Sequence, residues 1–222
     1  SLLEALLFST GSIERKGDVT AGSAVGDRAP EARKHAMGVE MNVASTTYLG
    51  DDWTFLDCPG AVDFTQDSHL ALQVADVAIV VVGPDPDHAL TLAPLLHALD
   101  EQDIPHVIFI NKIDVATHAM REVLAAVREV SQRPLVMREI PLIERGEISG
   151  FIDLVSEKAW HYRRGRRSEV VKTPIDSVGP EKEAREAMIE ALADFDDDLL
   201  EQIVEDILPD PETIYNSLAQ EL

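Results

Sequence analysis

The sequence predicts an α/β fold, a mostly parallel sheet with helices on both faces, followed by a smaller α+β subdomain. Three observations carry this. "WTFLD" (53–57), "VAIVVV" (77–82) and "HVIFIN" (106–111) are short, β-branched-rich and largely free of charge, as expected of strands buried on both faces. Helical patterns lie between and after them, at about 66–75, 88–101 and 117–130, and strand–helix alternation at this spacing is the signature of parallel crossovers. Beyond about residue 133 the texture changes.

In chain order, "SLLEALLF" reads as a helix already under way, with no N-cap and no preceding strand, so the chain is expected to be part of something longer. Residues 11–46 are rich in Gly and small residues with weak periodicity, which predicts a long, functional or mobile loop. The three strands and their helices follow. "PLVMREIPLI", "ISGFIDLVSEKAWHYR" and "SEVVKTPI" read as antiparallel strands, with turns at Glu144–Gly146 and around Gly165. Helices are expected at 179–193, 196–208 and 210–222, with Pro209 and Pro211 at the last boundary. Residues 1–133 are therefore expected to form one domain and 134–222 an inserted subdomain.

Composition narrows the function. No apolar run approaches the ~20 residues of a membrane helix, and a single cysteine, Cys58, excludes an internal disulfide framework and suits a reducing cytosol. The net charge of −22 argues against holding nucleic acid through its phosphates. Residues 181–222 carry fourteen acids against Lys182 and Arg185, a net of −12, read first as a solvated helical face. The seven His show no close ligand spacing. "HYRRGRRSE" reads as a charged hairpin tip around Gly165, and Cys58 as a small packed residue.

In open α/β sheets, ligands bind beyond the carboxyl ends of the strands, and two motifs fall there. Asp57-Cys58-Pro59-Gly60 follows one strand and Asn111-Lys112-Ile113-Asp114 another, 54 positions on. Asp57 can hold the water shell of Mg²⁺, and Gly60 lets a backbone N–H approach a γ-phosphate. The Asp114 carboxylate can accept from the N1–H and N2 amino groups of guanine, a donor pair that adenine lacks. Asn111 would brace the loop, and the Lys112 stem would cover the purine. Either motif alone is weak; together, in this order, they point to GTP or GDP with Mg²⁺.

With these motifs the chain resembles the GTP-binding domain of the elongation factor G family, most closely its divergent elongation factor G-like branch. "DCPGAVDF" resembles the family's D-T-P-G-H-V-D-F, "FINKID" its V-N-K-M-D, and "SLLEALLFSTG" the helix after its phosphate-binding loop. Residues 134–222 resemble the family's insertion. The resemblance implies a P-loop GTPase-type fold, GTP hydrolysis at the ribosome in the cytoplasm, and a ribosomal stalk protein facing the acidic helices. Three departures stand out. No G-x-x-x-x-G-K-S/T occurs, and by the resemblance it precedes Ser1, with the last nucleotide loop after Leu222. Ala61 occupies the position of the family's catalytic His, so hydrolysis is expected to be slow or to need a group from elsewhere. The Mg²⁺-binding hydroxyl of the long loop falls at Gly38 or Glu40, with no hydroxyl between Ser23 and Ser45. A nucleotide-gated binding protein with little turnover is the alternative.

Overall fold

The computed structural model describes residues 1–19, 21–26, 29–35, 37–116, 118–163, 167–205 and 207–220. They form an α/β fold in two compact units, Ser1–Ala78 and Ile79–Leu222.

In the first unit, α1 (Leu2–Ser9) buries Leu3 and Leu7, four residues apart and so on one face. Its start corrects the expectation of an uncapped helix: the Ser1 hydroxyl accepts the Glu4 N–H at 3.3 Å. The expected loop over 11–46 is also corrected in part. It contains α2 (Pro30–His35), which opens on a proline as helices favour, and the start of β1 (Asn42–Tyr48). β1 pairs antiparallel with β2 (Asp51–Asp57), in register from Asn42↔Asp57 to Tyr48↔Asp51. The turn is two residues, Leu49 and Gly50, both at positive φ (55° and 98°), the geometry that tight hairpins demand. So 53–57 lies in a strand, but an antiparallel one exposed from Asp51 to Thr54, not a parallel strand buried on both faces. A 3₁₀ turn at Val62–Phe64 then leads into α3 (Thr65–Leu72).

In the second unit, β3 (Ala78–Val82) and β4 (His106–Ile110) lie parallel, joined by α4 (Ala89–Glu101). α5 (Met120–Val130) packs on α4, and Leu92, Leu96 and Leu99 of α4 and Val123 and Val127 of α5 are all buried. Among the described residues the burial expected on both faces is not met within this unit: Val80 and Val82 are buried, while Ile79, Val81, Val107 and Phe109 are 42 to 46% exposed.

The four antiparallel strands that follow are β5 (Glu139–Glu144), β6 (Glu147–Asp153), β7 (Lys158–His161) and β8 (Glu169–Val171), in sequence order. Arg145 and Gly146, at φ 55° and 82°, make the first turn where expected. The expected turn around Gly165 lies outside the described residues. Pro134–Arg138, expected to be strand, carries none. Leu142, Ile152 and Ala159 point into the core; across the other face Phe151 and Trp160 stack with centroids 6.2 Å apart. Gly150 is required where β6 meets β7, because a Cβ there would stand 1.8 Å from the Trp160 carbonyl oxygen.

The helices α6 (Ile175–Ala193), α7 (Asp197–Val204) and α8 (Pro211–Gln220) close a core of Leu154, Val155, Met188, Leu192, Leu199 and Ile214. α6 starts earlier than 179 and runs through Pro180; α7 ends at Val204, short of 208, and the expected end of the last helix at 222 lies outside the described residues. A polar cluster ties α8 to the sheet. Arg138 pairs with Asp153 and lies 5.1 Å over the Tyr215 ring, and its Nη2 donates to the Tyr215 hydroxyl at 3.1 Å. Burial pushes the Asp153 pKa up, but the Arg138 bond and the Ser156 and Val155 N–H groups outweigh it and hold the carboxyl at about 2.

Among the described residues no helix is long and apolar enough to cross a membrane.

Candidate functional site

The sequence-predicted residues fall in two turns, one in each unit. In the first unit, β2 delivers Asp57 to a cavity of about 230 Å³, lined also by Cys58, Pro59, Gly60, Gly26, Gly38 and Asn42. Pro59 is buried and fixes the turn, whereas Gly60 is exposed, with nothing within 4 Å of where a Cβ would stand. That leaves its backbone open to a ligand. Asp57 supplies a hard oxygen donor of the kind Mg²⁺ prefers, and the cavity places it beside an unobstructed glycine. A phosphate group with its metal therefore fits the residues present.

Gly38 lies on the cavity wall, 3.8 Å from the Pro59 Cα when a Cβ is built on it; Glu40 is exposed and its carbonyl accepts from Asn42 Nδ2 at 3.3 Å. Ala61, half-buried, offers only a methyl group beside this turn. Burial raises the Cys58 thiol pKa, so the sulfur stays protonated, and it donates weakly to the Leu56 carbonyl at 3.7 Å.

In the second unit, β4 ends at Ile110 and Asn111 continues its line, its N–H donating to the Val82 carbonyl of β3 at 2.8 Å. The Asn111 side-chain oxygen accepts the Lys112 N–H at 2.9 Å. Lys112 itself is left-handed (φ 58°, ψ 35°), a conformation that costs a residue with a Cβ roughly 1–2 kcal/mol. A 3₁₀ turn over Ile113–Val115 follows, closed by Val115 N–H to Lys112 O at 3.1 Å. Lys112 and Asp114 are thereby turned to solvent while Asn111 stays half-buried. An exposed carboxylate next to a long aliphatic stem can meet a flat, donor-bearing ring.

Sequence reasoning missed three members of the first turn's surroundings. Asn42 donates from Nδ2 to Gly26 O at 2.9 Å; Gly26 sits so close that a Cβ there would be 3.3 Å from Asp57 Oδ2; and Glu4 reaches the same stretch from α1. Only Glu4 left a signal, as the one charged residue in the apolar run "LLEALLF".

The elongation factor Tu GTP-binding domain model matches residues 1–208. The chain is 42% identical, over its whole length, to an elongation factor G-like protein of Synechocystis sp., of which it spans 33%. To elongation factor G 1 of Geobacter sulfurreducens it is 28% identical, over 91% of this chain and 30% of that one. A crystal structure of a Thermus thermophilus protein superposes with a TM-score of 0.82 at 29% identity, covering 96% of this chain and 32% of that one. The chain thus spans about a third of the length of the relatives it matches. On a family match that takes in both turns and nearly all of the fold around them, the chain belongs to the elongation factor Tu GTP-binding domain family.

Proposed function

We propose that in the full-length protein Asn111, Lys112 and Asp114 read guanine, while Asp57 and Gly60 receive Mg²⁺ and the γ-phosphate. The observation that carries this is the 111–115 turn: a half-buried brace, a strained left-handed Lys112 and an outward Asp114. Backbone strain persists where the surroundings hold it, and it clusters at ligand sites. Asp57 would hold the metal through water, and the metal would supply charge to the β- and γ-phosphate oxygens. The chain's own part is to orient: Asp57 at a strand end, Gly60 with an open N–H, Pro59 locking the step between them.

Residues 1–133 act in this proposal as the nucleotide-binding core and 134–222 as an inserted subdomain, working on the ribosome in the cytoplasm. The acidic helices α6 to α8 would face a basic patch on a stalk protein, with Asp196–Asp198 at the start of α7 the densest charge. GTP hydrolysis follows from the family, and Ala61 limits it, because a methyl group cannot orient the attacking water. That same residue favours a second reading, a nucleotide-gated binder that holds GTP and occupies its partner with little turnover.

Single-turnover GTP hydrolysis by the full-length protein, with and without ribosomes, decides between them. Ribosome-stimulated turnover supports a working GTPase with a substitute catalytic group. Tight GTP binding without turnover supports the gated binder, and no guanine-nucleotide binding at all sinks both.

A further inference from the structure

The stretch between α1 and β1 is held by a carboxylate that belongs to neither nucleotide motif. Glu4, on the first turn of α1, is 1% exposed. Its Oε1 accepts the Gly17 N–H at 2.6 Å and its Oε2 the Val25 N–H at 2.8 Å. Hydrogen bonds to an ionised acceptor are roughly twice as strong as neutral ones, and two of them here use both oxygens of one buried group. Gly17 is fitted to the contact, since a Cβ there would stand 2.3 Å from Ser23 O and 2.7 Å from Glu4 Oε1. One residue beyond Val25, Gly26 is gripped by Asn42 and backs onto the Asp57 carboxylate. Val19, Ala24 and Gly26 are walls of the cavity that contains Asp57 and Gly60.

We propose that Glu4 is a positioning residue of the phosphate end of the site. It latches Gly17 and Val25 to α1 and so sets the wall beside Asp57, whichever nucleotide is bound. The inference rests on assigning Asp57 and Gly60 to the phosphates. It gains weight from the sequence downstream, where residues 24–44 hold no Ser, Thr or Tyr. No side-chain hydroxyl there can close on a ligand, whereas Glu4 and Asn42 hold Val25 and Gly26 by bonds within the protein.

Amide hydrogen exchange on the full-length protein, free and with GDP or a non-hydrolysable GTP analogue, tests the latch. In the unmodified protein, exchange of the Gly17 and Val25 amides should be slow and the same in all three states. Glu4→Gln is nearly isosteric but turns one acceptor into a donor facing an N–H. It should speed exchange of these two amides by roughly ten- to hundredfold and leave 106–116 unchanged. Gly17→Ala, which keeps the carboxylate and crowds it, should do the same. GDP dissociation should quicken in both variants while guanine-over-adenine preference is kept; a merely structural role would lower Tm without moving dissociation. Unchanged exchange in the variants, or strong protection of the Gly17 and Val25 amides in the unmodified protein only when the GTP analogue is bound, overturns the proposal. Absence of nucleotide binding would instead overturn the site assignment, since the exchange of the nucleotide-free protein still reads the latch.

Discussion

The turns at 57–61 and 111–115 both follow a strand, and they are built on opposite terms. The second is self-contained: Asn111 braces Lys112 through its side chain, and the 3₁₀ turn closes on its own backbone. The first depends on its neighbours, with Gly26, Gly38 and Asn42 arriving from residues far off in sequence, and with Ala61 where a functional side chain is expected. On the proposed assignment, recognition of a base is encoded in five consecutive residues, while control of a phosphate needs a loop, and that loop is held from outside its own sequence.

Breaking the self-contained turn should have the largest effect. Asp114→Asn is expected to reduce guanine-over-adenine preference by about 10⁴-fold, because a site built to accept the ring's donors then faces them with an amide. Displacement of labelled GDP by GTP and ATP measures it, and equal preference in both proteins would show that Asp114 does not read the base. Restoring the other turn comes next. Ala61→His is expected to raise ribosome-stimulated hydrolysis by about 10²–10⁴-fold. A rate no higher than that of the unmodified protein would mean that the missing His is not what separates the two turns.

Smaller effects sharpen the contrast. The Asp153 carboxyl titrates at about 2 in the fold against an ordinary 3.8, so the stability it contributes is complete above about pH 4 and lost as pH falls toward 2. Acid unfolding of the second unit should therefore flatten over that window in Asp153→Asn, which also starts less stable; identical acid limbs would exclude Asp153 as the cause. Lys112→Gly should change stability by less than about 1 kcal/mol, since relief of the left-handed strain is offset by the greater freedom of glycine when unfolded. It should still quicken nucleotide dissociation several-fold by removing the stem proposed to cover the base, and unaltered dissociation would leave the Lys112 stem no such role.

Most of the second unit was legible in the sequence. Long helices such as 89–101 carry their apolar period openly, and Arg145-Gly146 announces its turn. In the first unit the helix at 2–9, the strand at 53–57, the helix after it and the motif were legible, but the stretch between α1 and β2 was not. β1, "NVASTTY", has a single large aliphatic residue and reads as loop, because its strand character comes from pairing with β2 rather than from burial. Ser1 as a cap and Glu4 as a latch act through backbone N–H groups, and their one trace in the sequence is the Ser1-x-x-Glu4 spacing, with Glu4 the lone charge in an apolar run.

The half-open sheet of β3 and β4 has a colloidal consequence. Ile79, Val81, Val107 and Phe109 make an apolar band on a chain of charge −22, so mutual repulsion opposes the attraction between two such bands. Added salt shortens the range of that repulsion, to about 8 Å at 0.15 M, and leaves the apolar attraction in place. A polypeptide of these 222 residues should therefore stay dispersed in dilute buffer and self-associate as salt is raised, the reverse of what charge-paired assemblies do.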